Sequence, residues 1–344
     1  MTGSDGQSPQ RKLADEVSGA EFRASVVERS RELARFGYSE YDAAFLTASA
    51  LLGSYFLRRQ YRAWGGRKRG GSESRFLSMA EALGHAKPLV KKSLYCVHSR
   101  QVFAAIGGSD RVGRPLASRR YVKQRLLVLD HLIEAGGGRR WLLDEADKTG
   151  YFRSLGIDRR NLPSGRPNAA GKARHFPSAF PIRAADTAWP SVEFVYAHCA
   201  ATALGMEKHL GCHEPLATAL RALGIDCTWT VLADSPNQFP RLRRAWRHWR
   251  EKRVRDWAEL EYFGLRVAVK TRQWQQLNTE KAVRYAELYA TLEASGTESR
   301  YRTWLERGKP GRSPGADFAL GCQYREVLLH HDYGVADFIE QHSA

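Results

Sequence analysis

The chain has 344 residues, enough for two or three domains, and its 43% apolar and 11% aromatic content supports packed cores. Lys and Arg number 54 against 37 Asp and Glu, a formal charge of +17. That excess favours a polyanionic partner, because each cation that meets a phosphate releases a condensed counterion; the alternative is a basic protein that is merely soluble. No run of eighteen apolar residues occurs, which excludes a transmembrane helix and leaves no membrane partner expected.

Residues 1–20 read as a disordered tail, and the polar stretch 1–16 has no apolar core of the kind a secretory signal carries. Helical spacing follows over 21–36, with Phe22, Val26, Val27 and Leu33 on one face. Ser39 is the expected N-cap of a helix over 41–52, with Glu40 and Asp42 in its first turn. After the break at Gly53-Ser54, the stretch 54–64 reads as an amphipathic helix carrying Arg58, Arg59, Gln60 and Arg62 among aromatics. Gly65-Gly66 stop it, and Arg67, Lys68 and Arg69 form a basic turn. Two short helices joined by a glycine-containing turn, the second rich in arginine, are how a helix-turn-helix presents a helix to a DNA groove. A further helix over 74–83, closed by Gly84, and a loosely alternating stretch 89–106 (Leu94, Cys96, Val102, Phe103) would add a hairpin wing. A small helical bundle with a stray hairpin is the competing description.

A second basic cluster (Arg111, Arg114, Arg119, Arg120, Lys123, Arg125) leads into an apolar helix over 121–135, and 144–155 gives another short helix. The composition of 161–181 shifts to Pro, Gly, Asn, Ser and Ala, as in a linker or exposed loop. The period then changes. A buried strand over 192–197, a helix over 209–223 ended by Gly224, a second strand over 225–233 and a long helix over 239–257 argue a small α/β domain with a parallel pair. The remainder, 257–344, is helical in pattern with an interruption at 308–315.

Three groups of residues could carry chemistry. Arg241, Arg243, Arg244, Arg247, Arg250, Lys252, Arg253 and Arg255 crowd one helix with Trp246, Trp249 and Trp257 between them. Either the helix is a solvated surface element anchored by tryptophan, or its uncompensated charges meet phosphates. His198, Cys199, His209, Cys212 and His213 have metal-ligand residue types, but no CxxC pair or HExxH helix accompanies them, so buried thiols beside ordinary histidines are preferred. The five cysteines (Cys96, Cys199, Cys212, Cys227, Cys322) are unpatterned and suit free thiols in a reducing cytoplasm. Finally, Asp186 precedes Glu193-Phe194-Val195 at the spacing of a magnesium-dependent nuclease, whose Glu-x-Lys would require a lysine where Val195 stands. No phosphate-cradling Walker loop, GxGxxG or GxSxG occurs.

A basic winged helix-turn-helix half, an arginine-rich helix and an α/β half with an incomplete Asp…Glu-x-x pattern resemble the replication-relaxation type of protein carried by bacterial plasmids and integrative elements. The resemblance spans 35–255 and rests on 44–64, the hairpin near 94–103 and the block 192–234. It implies a winged helix ahead of a restriction-endonuclease-like domain and DNA binding in a mobile-element context. The missing lysine argues against catalysis.

The expected fold is therefore α+β: a disordered tail (1–20), a winged helix-turn-helix (21–108), a helical connector (109–160), a loop (161–181), a small degenerate nuclease-like α/β domain (182–256) and a helical C-terminal region (257–344). The expected function is sequence- or structure-specific DNA binding by a cytoplasmic, nucleoid-associated accessory or transcription-regulating factor of a bacterial mobile element. Candidate DNA contacts are Arg58, Arg59, Gln60, Arg62, Arg67, Lys68, Arg69, Arg119, Arg120, Lys123, Arg243, Arg244, Arg247 and Arg250. Double-stranded DNA is the leading partner, with RNA or proteins of a nucleoprotein complex as alternatives. No catalytic residue, metal ligand or cofactor is assigned. The rival functions are a metal-dependent nuclease or other DNA-processing enzyme, and a structural subunit of a nucleoprotein complex.

Overall fold

A computed structural model describes residues 26, 28–65, 71–90, 93–107, 118–135, 139–165, 174–177, 180–185, 190–272, 278–292, 297–306 and 322–333. Helix α1 (Glu40–Leu51) starts where the extended Ser39 accepts a hydrogen bond from the Asp42 amide, as its sequence predicts. Residues 43–51 are buried all round, so α1 is a core helix. Just beyond it comes Gly53, whose φ of +125° and the Arg125 side chain packed where a Cβ would stand together require glycine. The chain turns there into β1 (Tyr55–Leu57) and then enters α2 (Arg58–Trp64), α3 (Gly71–Ala82), β2 (Ala86–Val90) and β3 (Leu94–Val97). These strands form an antiparallel sheet in the order β1–β3–β2, with Phe56 opposite Tyr95 and Lys87 opposite Cys96. The Phe45 ring sits edge-on to Phe56, Tyr61, Trp64 and Phe76 at 5.2–5.8 Å and ties α1, β1, α2 and α3 into one core.

Two expectations shift here. The helix expected over 54–64 begins as a strand, because Tyr55, Phe56 and Leu57 are all buried and pair with β3, and it turns helical only at Arg58. The hairpin lies at 86–97, earlier than expected, while Val102 and Phe103 belong to a short helix, α4 (Arg100–Ala105).

Helix α5 (Arg119–Ala135) packs against β1 on one side and against the larger sheet on another, so Leu126, Leu127, Val128, Leu129 and Leu132 are all buried. That sheet is built from β4 (Arg140–Leu142), β7 (Ile182–Ala185), β8 (Ser191–Ala197), β9 (Asp226–Ala233) and β10 (Cys322–Leu328), in the order β10–β9–β8–β7–β4. Helix α6 (Glu145–Ser154), N-capped by Asp144, follows β4. A two-stranded ribbon, β5 (Ser164–Gly165) with β6 (Arg174–His175), comes next. β4–β7 and β7–β8 are antiparallel; β8–β9 is parallel, with α7 (Leu204–Ala222) as the crossover and Gly224 at φ +75° closing it. The expected parallel pair is present.

The stretch expected as a linker over 161–181 is only partly described, and there it contributes core: Leu162, Phe176 and Phe180 are buried. Ser164 and Gly165 form one strand of the ribbon, and Phe176 and Phe180 are packed into the core. The helical reading of 257–344 fails at β10, whose Cys322 is buried and whose strand adds to β9.

The described residues fall into two compact units, one within Met1–Leu242 plus Gln323–Ala344 and the other within Arg243–Cys322. In this second unit the long helix α8 (Phe239–Lys270), which runs past its expected end at 257, meets α9 (Thr279–Leu292) and α10 (Thr297–Glu306). Tyr262, Phe263, Leu288, Leu292 and Tyr301 form its core. Ion pairs Arg284–Glu261 and Arg300–Glu259 tie the helices together at its rim.

Candidate nucleic-acid interface and the buried Glu193 cluster

The arginine-rich helix α2 turns its polar groups inward. Arg59 donates Nη1 and Nη2 to the two carboxylate oxygens of Asp130 at 2.7 and 2.8 Å, and Tyr333 donates its hydroxyl to the same carboxylate at 2.7 Å. Gln60 is fully buried; its Oε1 accepts from the Leu57 amide at 2.8 Å and its Nε2 donates to the Leu126 carbonyl at 2.9 Å. Arg58 and Arg62 both reach the buried Glu73 of α3, at 2.5 and 3.5 Å. A base edge needs free donors and acceptors at the side-chain tip. Gln60 is buried with its amide engaged, the terminal nitrogens of Arg59 are held by Asp130, and Arg58 and Arg62 are turned toward Glu73. The helix that exposes its tips is α3, with Ser72, Ser74, Arg75 and Ser78 all exposed. Arg67, Lys68 and Arg69 lie outside the described residues.

The second basic cluster divides. Lys123 pairs with Asp234, and Arg120 is exposed beside the Tyr196 hydroxyl. Arg119 is half-buried. Arg125 is buried, its guanidinium over the Tyr121 and Phe180 rings at 4.6 and 5.0 Å. Arg111 and Arg114 are outside the described residues. On α8 the pattern is the reverse of that on α2. Trp246 and Trp249 are buried and stack at 5.2 Å, while Arg243, Arg244 and Arg247 are exposed and Arg250 is half-buried. Among the described residues Arg244 and Arg247 have no carboxylate within ion-pair distance.

The nuclease-like pattern resolves differently from its sequence. Asp186 lies outside the described residues. Glu193 is fully buried on β8, and Val195, two residues on along that strand, is buried as well. The Glu193 carboxylate faces guanidinium groups. Arg183 on β7 donates to Oε2 at 3.1 Å, Arg139 to the same oxygen at 3.3 Å, and Arg325 on β10 stands 3.9 Å from Oε1. Thr230 on β9 donates to Oε1 at 2.5 Å, and His131 of α5 lies 3.8 Å away. Burial alone would raise the Glu193 carboxyl, but Arg183, the Thr230 hydrogen bond, His131 and Arg325 outweigh it and hold it below its usual value. Burial lowers Arg183 too, yet a guanidinium stays protonated. His131 is pushed down to about 4, by burial first and then by Arg183 and Arg325 against the pull of Glu193, and is neutral at pH 7. Such a carboxylate is already neutralised by arginine, leaving little to attract a divalent cation.

The histidine and cysteine residues of 198–213 split between β8's end and α7. His209 and His213 are buried with ring centroids 4.2 Å apart, and His213 Nδ1 donates to the His209 carbonyl at 2.9 Å. Burial drives both pKa values down, that of His213 to about 4. None of the five cysteines is in a disulfide, and no group of three potential ligands occurs among the described residues. Among the same residues no helix is long and apolar enough to cross a membrane.

Arg139, Arg183, Arg325 and His131 were invisible as a site in the sequence. His131 stands on α5, Arg139 just ahead of β4, Arg183 on β7 and Arg325 on β10, and sheet register aligns Trp141 with Arg183 and Arg183 with Glu193. Comparison with protein-family models, curated proteins and solved structures finds no match for this chain.

Proposed function

We propose that this protein binds duplex DNA through an N-terminal winged helix and acts as an accessory or regulatory factor, cytoplasmic and of the mobile-element kind that the resemblance to replication-relaxation-type proteins implies. The observation that carries the reading is the order α1–β1–α2–α3–β2–β3 with strands arranged β1–β3–β2. That order puts a three-helix turn ahead of a hairpin, the arrangement in which the last helix enters the major groove and the hairpin reaches the flanking backbone. In this reading α3, not α2, is the reading helix, with Arg75 and Ser78 at its exposed face. Arg244 and Arg247 supply further sequence-independent phosphate contacts.

Titration of labelled duplex DNA across a salt series tests it. The logarithm of affinity is expected to fall linearly with the logarithm of salt concentration, and Arg75→Ala to weaken binding to a selected site. Affinity that stayed constant from low to physiological salt would overturn the reading. The rival nuclease is disfavoured by the arginines around Glu193 and by Val195, which offers no charge to a developing phosphorane. Supercoiled DNA incubated with Mg²⁺ or Mn²⁺ is expected to stay uncut. Nicking abolished by Glu193→Ala would promote the nuclease instead.

A further inference from the structure

We propose that the face of the larger sheet around Glu193 is a phosphate-binding site, in which arginines supply the positive charge that a metal supplies in a nuclease. Among the described residues, Arg139, Arg183 and Arg325 converge on Glu193, three guanidinium groups against a single carboxylate. Like charges crowd in this way at a cost that one anion cannot offset and a second can. Two buried nitrogens left without partners point to the same conclusion. Among the described residues, the Nε of Arg183, a residue 6% exposed, has no hydrogen-bond partner, and neither has the Nε2 of His131, which is 2% exposed. Arg139 and Arg325 keep 35% and 56% of their side chains in solvent, so the cluster opens to an incoming anion on that side. The cradle is preorganised. Trp141 holds the Arg183 guanidinium at 4.8 Å over its ring, the Ala135 carbonyl accepts from Nη2 at 3.4 Å, and Thr230 fixes Glu193 at 2.5 Å. A planar fork of N–H donors matches the oxygens of a phosphate.

A free phosphate and a backbone phosphodiester share this chemistry. The inference stands apart from the duplex-DNA reading, since it is read with inorganic phosphate alone. Thermal unfolding of the full chain in potassium phosphate, against potassium chloride at matched ionic strength, is expected to show a concentration-dependent rise in Tm specific to phosphate. The variant Arg139→Gln/Arg325→Gln changes only the two solvent-facing arginines and is expected to lose the shift, with apparent affinity down at least tenfold. Glu193→Gln removes the competing anion and is expected to enlarge the shift, a result that a purely structural ion pair would not give. A short thymidine oligomer without terminal phosphate separates the sources: a shift with the oligomer that the double variant loses assigns the site to nucleic-acid backbone. No shift with either probe, or one that survives in Arg139→Gln/Arg325→Gln, overturns the proposal. If Glu193→Gln does not fold, the wild-type and double-variant titrations still decide it.

Discussion

Helices α2 and α8 have the same composition, arginine interleaved with aromatic residues, and opposite fates. In α2 the guanidinium groups of Arg58, Arg59 and Arg62 meet carboxylates of other elements, Glu73 and Asp130. In α8 the tryptophans take the buried stripe and Arg244 and Arg247 face solvent. The difference comes from length and neighbours. A seven-residue helix wedged between a strand and two helices has little free circumference, whereas a helix of 32 residues can bury a narrow stripe and solvate the rest. Charge in a sequence is therefore not charge at a surface. Only the α8 type adds to an electrostatic footprint.

The largest expected effect is on the buried side of that contrast. His131 and His213 are buried and neutral with folded-state values of about 4 against an unfolded value near 6.5. Between those pH values the unfolded chain binds protons that the folded chain refuses, so stability falls as pH drops through the window, by about 1.4 kcal/mol per pH unit for each histidine. Glu193, held below its usual value, loses its contribution at still lower pH and acts in the same direction. Urea unfolding midpoints at pH 7, 6 and 5 check this. A flat profile would mean that these rings are hydrated or paired in solution.

Asp130→Asn comes next. It strips Arg59 and Tyr333 of a shared buried carboxylate, and breaking a buried pair on one side costs roughly 3 kcal/mol. Denaturant titration reads the loss, and duplex specificity is expected to stay as it was. A change in the preferred DNA site would return α2 to the role of reader.

On the solvent side, Arg244→Ala with Arg247→Ala is expected to leave stability within about 0.5 kcal/mol and to lower the salt slope of DNA binding by about 2. An unchanged slope would make α8 a solvated helix with no phosphate contact.

Much of the framework was legible in the sequence because it rests on local chemistry. Ser39 and Gly84 mark helix ends by capping, and the run 192–197 is apolar enough to be a buried strand in any context. What could not be read depended on partners distant in sequence. Tyr55–Leu57 becomes strand through pairing with β3, and β10 forms because β9 offers it an edge. The candidate site suffered most. Whether Gln60 reads a base or caps a strand end depends on Leu126, 66 residues away, and the Glu193 cluster draws residues from positions 131 to 325.

The smallest effect comes from the redundancy at Glu73. This carboxylate is 5% exposed and sits in the first turn of α3, where the helix N-terminus also favours a negative charge. Arg58 holds it by a hydrogen bond at 2.5 Å and Arg62 only by proximity at 3.5 Å, each with part of its side chain in solvent. Arg62→Ala therefore removes the weaker of two cations and is expected to cost less than about 1 kcal/mol. Arg58→Ala with Arg62→Ala leaves the buried carboxylate with neither arginine, so the double loss should exceed the sum of the single ones. A double-mutant cycle in chemical denaturation measures that coupling. Strict additivity would show that Glu73 is served by the helix terminus alone and that the α2 arginines are free enough to reach a partner outside the fold.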